Sequence, residues 1–353
     1  MYHKECRALA EAGYSVKLIA INAADVVSDY PNVEIINVPF ESTSKIKRIL
    51  HAPKRARIVA QQFQPEVYHF HDPEFLFAGL KLSRSGARVI YDSHEDVPNQ
   101  IRNKAWIPSL LRGLSSGVYR FVEHYCSARF AAVVTVIDEI EERFLKVNKK
   151  VVVVRNYPSL EEMPSPKPWG DKRDEVVYVG DLTRIRGVAE MVSAMRNLPF
   201  KLQLGGRFSN TELEKEVKAD SAWTNVHELG FLSRAAVGEV YDKAKVGLVT
   251  LHKTPSYVDA IPVKMLEYMA CGIPYIASNF GWMKKVTEKY GSGILVNPYE
   301  PAEIAEAIQS LMNDQEKAQS MGVLGREAVL ANFNWETEKQ KLLQLYYDLL
   351  QNG

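Results

Sequence analysis

Short apolar runs separated by stretches of helical period recur along the whole chain. In the first half these runs are Val16–Asn22, Val33–Val38, Val67–His71, Arg88–Asp92, Ala132–Ile137 and Val151–Val154, all of strand length and most of them rich in Val and Ile. Between them, Lys45–Gln62, Phe75–Ser83 and Leu110–Ser127 space their apolar residues as helices do. The rhythm restarts at Val176–Val179 and continues through Leu202–Leu204, Val226–Leu229, Val246–Thr250, Tyr275–Ala277 and Ile294–Val296. Helices are expected here at 187–197, 211–218, 234–244, 263–271 and 302–313. Strands apolar on both faces, alternating with helices, predict parallel sheets covered on both sides. The expected fold class is α/β, with two doubly wound Rossmann-like domains.

Asn156–Gly170 interrupts the rhythm, because four prolines in fifteen residues sustain neither a strand nor a helix. The expected organisation is a first domain over 1–155, a proline-rich linker over 156–174, a second domain over 175–334 and a terminal helix over 335–353. The terminal helix carries a Leu/Tyr face and either packs on the second domain or crosses back to the first. Two such domains joined at one hinge are expected to face each other across a cleft. Ligands of doubly wound sheets bind outside the carboxyl ends of the strands, so the strand-to-helix loops are the places to look for chemistry.

Composition narrows the class. A chain of 353 residues, 46% hydrophobic and 25% charged, is globular, not disordered, collagen-like or held by a disulfide framework. Lys and Arg number 44 against 43 Asp and Glu, so no nucleic-acid partner is expected and anion binding must be local. Cys6, Cys126 and Cys271 have neither zinc nor redox spacing and read as reduced thiols. No apolar run approaches the ~20 residues of a membrane span. The charged start, Met1 to Arg7, lacks the character of a leader. A cytoplasmic location is expected. Lys45, Lys47, Arg48, Lys54, Arg55 and Arg57 form a basic run interleaved with Ile46, Ile49 and Leu50. It reads either as a solvated helix face or as a surface peripheral to an anionic membrane.

Two loops of the second half carry the sharper chemistry. Val179-Gly-Asp-Leu-Thr-Arg-Ile-Arg-Gly-Val188 leaves a strand at Gly180, offers Arg184 and Arg186, and enters a helix after Gly187. Guanidinium forks beside a helix start favour a phosphate, although an ordinary turn with solvated arginines has the same residues. In Val258–Ala277, Pro262 opens and Gly272 closes a mostly apolar helix, with Lys264 in its first turn, Glu267 inside it and Asp259 in the loop before it. A cation in a first turn runs against the helix dipole and calls for an anionic ligand or a carboxylate partner. A carboxylate on a buried helix needs a partner too, either a ribose diol or a Lys or Arg.

These residues resemble the signature of glycosyltransferase family 4, retaining enzymes of GT-B fold. The family's E-x7-E pair and following E-A/Y-M-A-x-G-x-P helix are matched by Asp259-x7-Glu267 and Glu267-Tyr-Met-Ala-Cys-Gly-Ile-Pro274. Its G-R-L-x-x-x-K-G loop is matched by Gly180, Leu182 and Gly187, with Arg186 in place of Lys. Leu229–Leu232 and Phe333–Glu336 extend the likeness over nearly the whole chain. The resemblance implies a sugar transferred from a nucleoside-diphosphate sugar to a hydroxyl of a carbohydrate or lipid-linked acceptor, in polysaccharide or glycolipid biosynthesis. It implies that Glu267 binds the ribose and Asp259 approaches the donor sugar. Arg186, with Arg184, would neutralise the diphosphate, and Gly180, Lys264 and Gly206 would join the donor site. In the first half, His69–Glu74 and Tyr91–Asp96 hold histidines and acids without metal-site spacing, and no metal or cofactor is expected. The resemblance makes His94 a contact to the donor sugar and places His71 and Glu95 in the acceptor cleft.

Three departures bear on the reading. Asp259 is one methylene shorter than the family's Glu, and Asp181 stands where the family has Arg. Met1 falls inside the expected first helix, whereas family members place a strand before it. Two other functions fit the same architecture. One is a GT-B binding or scaffold subunit without catalysis, and the other is a sugar-nucleotide 2-epimerase.

Overall fold

A computed structural model describes residues 2–351, apart from 25, 43, 95, 104–107, 256 and 259. The chain divides into two compact units, one of residues 1–156 with 336–353 and one of residues 157–335.

The first unit runs from a π turn, Tyr2–Cys6, through α1 (Arg7–Glu11), β1 (Val16–Ile21), β2 (Val33–Val38), α2 (Lys45–Gln62) and β3 (Val67–Phe70). It continues with α3 (Leu76–Arg84), β4 (Arg88–Ser93), α4 (Val97–Asn103), α5 (Ser109–Ser127), β5 (Ala132–Thr135), α6 (Asp138–Leu145) and β6 (Val151–Val153). Its strands pair in parallel as two sheets, β1-β2 and β3-β4-β5-β6. Val89, Tyr91 and Val133 of the larger sheet pack with Leu76 and Leu80 of α3 and Cys126 of α5.

The second unit contains β7 (Glu175–Val179), α7 (Val188–Ala194), β8 (Lys201–Gly205), α8 (Thr211–Ala219), β9 (Val226–Gly230), α9 (Arg234–Lys243), β10 (Val246–Val249) and α10 (Val263–Ala270). It closes with β11 (Tyr275–Ser278), α11 (Gly281–Tyr290), β12 (Gly293–Val296), α12 (Pro301–Asn313) and α13 (Gln315–Asn332). All six strands are parallel, in the order β12-β11-β10-β7-β8-β9. Val176 and Tyr178 of β7 enter the core on one face while Val177 enters the core on the other. This alternation covers both faces of the sheet and produces the continuous Val/Ile pattern of its strands. The strand order reverses between β7 and β10, so the loops leaving these two strands flank the topological switch point.

The structure differs from the sequence reading in several places. From Tyr157 onward the proline-rich segment belongs to the second unit, with Tyr157, Met163 and Trp169 buried in its cores. The helix expected over 187–197 is only Val188–Ala194, bounded by the left-handed residues Gly187 and Asn197. α4, α6, α11 and α13 have no counterpart among the expected helices. α13 shows why: it packs through small residues, with Gly322 against the Gly272 carbonyl and Gly325 against Met269, so its apolar stripe is faint. The terminal helix α14 (Trp335–Gln351) counts with the first unit from Glu336 on. There Lys339 Nζ reaches Glu11 at 2.8 Å, and Glu338 accepts from the Arg155 amide at 2.8 Å.

Candidate functional site

In the second unit the carboxyl ends of β7, β8 and β9 meet through glycines. The Gly180 amide donates to the Gly205 carbonyl at 2.8 Å and the Gly206 amide to the Gly230 carbonyl at 2.7 Å. A Cβ on Gly206 would overlap the Gly180 carbonyl oxygen, so the two loops touch backbone to backbone. Gly187, with φ +74°, brings the next turn equally close to the Thr250 carbonyl after β10.

Arg186 and Lys264 converge over Gly180. A Cβ at Gly180 would overlap Lys264 Nζ and stand 3.3 Å from Arg186 Nη1. Arg186 is also held by Asp181, Nη2 to Oδ2 at 3.2 Å, and by the Tyr257 hydroxyl at 3.4 Å. Asp181 therefore faces the cation beside it. Lys264 Nζ lies over the Tyr178 ring, 5.6 Å from its centre. Burial, and then the neighbouring Arg186 charge, push the Lys264 ammonium below its usual pKa. A strained cationic pair of this kind favours a polyanionic ligand, which relieves the repulsion and replaces lost hydration. Thr183, Thr250 and Thr254 add buried hydroxyl oxygens that carry no hydrogen bond.

Glu267 lies 5% exposed on α10. Its Oε1 accepts from Arg234 Nη1 at 2.7 Å and its Oε2 from the Tyr241 hydroxyl at 3.0 Å, both partners on α9. Arg234 is anchored in turn by Glu162 at 3.0 Å. Of the two partners open to Glu267 in the sequence, the structure supplies the arginine. Arg184 is not brought to this group: its guanidinium pairs with Glu216 of α8 in a half-exposed ion pair, so the second cation over Gly180 is Lys264. Asp259 lies outside the described residues.

The first unit builds a second polar cluster at the carboxyl ends of β3 and β4. His69, His71 and His94 stack successively, with ring centres 4.8 and 4.9 Å apart, and His71 Nδ1 stands 2.7 Å from His94 Nε2. Asp92, 1% exposed, lies 3.5 Å from each of the three imidazoles. Glu5 Oε2 approaches His71 Nε2 at 3.4 Å, and the Tyr346 hydroxyl of α14 meets His69 Nδ1 at 2.9 Å. Burial, reinforced by His69, drives the His71 imidazole down to about 2. Burial opposes ionisation of Asp92, but the His69 hydrogen bond and the imidazoles packed around the carboxylate outweigh it and hold the carboxyl below its usual range. Glu5 is raised, by burial and then by Asp92. His94, with 39% of its side chain exposed, is the most open member of the stack. Donor atoms of Glu5, His71, Asp92 and His94 lie within 4.8 Å of one another, a set able to hold a divalent ion. Glu95 lies outside the described residues.

The sequence reading missed Arg234, Tyr241 and Glu5, and it noted Asp92 only within the acid-bearing Tyr91–Asp96 segment, with no role of its own. Arg234 and Tyr241 stand seven apart on an amphipathic helix and look like ordinary positions until α10 packs beside them. Asp92 is the last residue but one of the buried strand β4, and an acid inside such a strand is the local signal that could have assigned it a role.

Residues 3–157 match the model described as the glycosyl transferase 4-like domain, and residues 160–328 match glycosyl transferases group 1. Alpha-maltose-1-phosphate synthase of Mycolicibacterium smegmatis is 29% identical over 185 residues, 49% of this chain and 48% of that protein. Glycogen synthase of Mycobacterium tuberculosis is 21% identical over 302 residues, 81% of this chain and 69% of its own length. The chain thus spans about half the length of the maltose-1-phosphate synthases it matches. Sucrose-phosphate synthase from Thermosynechococcus elongatus superposes with a TM-score of 0.75 at 23% identity, covering 98% of this chain and 92% of that one. HepE of Anabaena, solved in complex with UDP, superposes at 0.68 with 15% identity, covering 90% and 87%. These solved structures share the fold.

Proposed function

Because the chain belongs to the GT4-like superfamily of GT-B glycosyltransferases, we propose that it moves a sugar from a nucleoside-diphosphate sugar to a hydroxyl acceptor with retention at the anomeric carbon. The acceptor is a carbohydrate or a lipid-linked glycan precursor, in polysaccharide or glycolipid biosynthesis. The observation that carries this reading is the convergence of Arg186 and Lys264 over Gly180, beside the switch point of the second sheet.

Departure of a nucleoside diphosphate leaves growing negative charge on its β-phosphate. Two fixed cations whose geometry is set before the reaction stabilise that charge most where it is largest, in the transition state. Glu267, oriented by Arg234 and Tyr241, retains lone pairs for a ribose diol. His94 is assigned to the transferred sugar, with Asp92 and His71 positioning its ring. The same assignment gives Asp259 a contact to the sugar and His71 and Glu95 places on the acceptor side.

Titration with a panel of nucleoside diphosphates, followed by assays with the sugar nucleotide of the preferred base, tests the proposal. Arg186→Ala should lower turnover by about 100-fold. Failure of every nucleoside diphosphate to bind would reject it. A second reading is favoured by the Asp181–Arg186 ion pair, which already gives Arg186 an anionic partner: a GT-B subunit that binds nucleotide without transfer. Binding with neither transfer nor donor hydrolysis would select it.

A further inference from the structure

The cluster at the carboxyl ends of β3 and β4 holds more buried acid than its hydrogen bonds account for. Glu5 and Asp92 are 7% and 1% exposed, and neither Glu5 Oε2 nor Asp92 Oδ1 accepts a hydrogen bond. Imidazole nitrogens face them instead: His71 Nε2 stands 3.4 Å from Glu5 Oε2, and His94 Nε2 stands 3.5 Å from Asp92 Oδ1. His71 Nδ1 lies 3.5 Å from Asp92 Oδ2 and 2.7 Å from His94 Nε2, so two ring nitrogens meet with room for a single proton. Buried acceptors without donors are costly, and a positive ion among them removes that cost.

The geometry suits such an ion. One donor atom from each of Glu5, His71, Asp92 and His94 lies within 4.8 Å of the others. Donors held ~2.1 Å from a tetrahedral ion stand about 3.4 Å apart, so small side-chain adjustments close the set. Two carboxylates balance the charge of a dication. Two imidazoles favour ions of the zinc class over magnesium and calcium, which prefer oxygen alone. His94, the most open of the four, gives entry from solvent, and all four residues belong to the first unit.

We infer that Glu5, His71, Asp92 and His94 bind one transition-metal dication of the zinc class, as a ligand and not as a cofactor of transfer. Binding stands on the first unit alone. Its consequence rests on the proposed function: an ion on His94 withdraws that ring from the sugar, so Zn2+ should inhibit transfer.

The test uses the full chain stripped with EDTA, dialysed, and titrated calorimetrically with Zn2+ and separately with Mg2+. One Zn2+ per chain should bind, at least ~100-fold tighter than Mg2+, and raise the melting temperature. Co2+ in its place should give the visible absorption of a nitrogen–oxygen site, without the thiolate band that Cys6 would add. His94→Ala, at the open side of the cluster, and separately Glu5→Gln should each weaken Zn2+ binding at least ~10-fold. His252→Ala, which removes a histidine–carboxylate pair with Glu190 in the second unit, should not. Binding no tighter than that of Mg2+, a thiolate band, or affinity unchanged in His94→Ala overturns the inference. Zn2+ that binds here without slowing transfer supports the site and counts against His94 as the sugar contact.

Discussion

Glu267 Oε1 and Arg234 Nη1 stand 2.7 Å apart, an ion pair that ties α10 to α9 and fixes a buried carboxylate beside the Lys264 turn. Arg234→Ala leaves that carboxylate with the Tyr241 hydroxyl alone. A loss of about 1–3 kcal/mol is expected, read as a lowered urea midpoint. Glu267→Gln retains an acceptor for Arg234 and should cost less. Both substitutions should weaken nucleoside diphosphate binding, and unchanged affinity in both would reduce the pair to a structural tie.

Gly180 and Gly206 separate ligand binding from folding. Gly206→Ala drives a methyl into the Gly180 carbonyl, backbone against backbone, and should lower stability by about 2–4 kcal/mol. Gly180→Ala meets the flexible end of Lys264 instead, at φ +153°. It should lose less stability and more diphosphate affinity. Thermal melts and calorimetric titrations of the two variants check the contrast.

Lys264 makes that affinity depend on pH. Its ammonium is pushed below the usual lysine value by burial and by Arg186, so it neutralises earlier than a free lysine as pH rises. A bound diphosphate favours the charged form and draws the proton back. Affinity should fall as pH rises toward the ordinary lysine value of 10.5, earlier than for a free lysine, with proton uptake on binding measured by calorimetry in buffers of different ionisation heat. Lys264→Met should flatten the slope.

His71 contributes to acid sensitivity. Its imidazole titrates near 2 in the fold against an ordinary value of 6.5. Between those values the unfolded chain binds the extra proton, so stability is full above about pH 6.5 and falls as pH drops. The slope from this group is at most about 1.4 kcal/mol per pH unit. Glu5, raised above its usual value, works in the opposite direction and moderates the net effect. Melting temperature followed from pH 7 to pH 5 should drop less in His71→Asn than in the parent.

Transfer is expected to need no metal, because Arg186 and Lys264 supply the positive charge. Chelation with EDTA should leave turnover and nucleoside diphosphate affinity unchanged. A loss restored by a divalent cation would reject that expectation, and Glu5, His71, Asp92 and His94 would then be the ligands to substitute first.

Much of the architecture was legible because its causes are local. The Val/Ile runs reflect strands buried on both faces, and the glycine at 187 marks the left-handed turn before α7. Where the local signal is weak the reading failed. α13 packs through Gly322 and Gly325, and the prolines after Asn156 concealed a segment whose Tyr157 and Trp169 are core residues.

The α/β alternation, and the loops that carry arginine, lysine, histidine and acid, are written locally, since periodicity and side-chain chemistry belong to neighbouring residues. The partners of those side chains were chosen by long-range packing. Arg234 meets Glu267 from 33 residues away, His94 meets His71 from 23, and Tyr346 reaches His69 across 277. The same packing sent Arg184 to Glu216 and set Lys264 beside Arg186. Such pairings depend on which strands lie side by side and how helices rotate against them, and burial makes each partner count by removing the water that would otherwise serve.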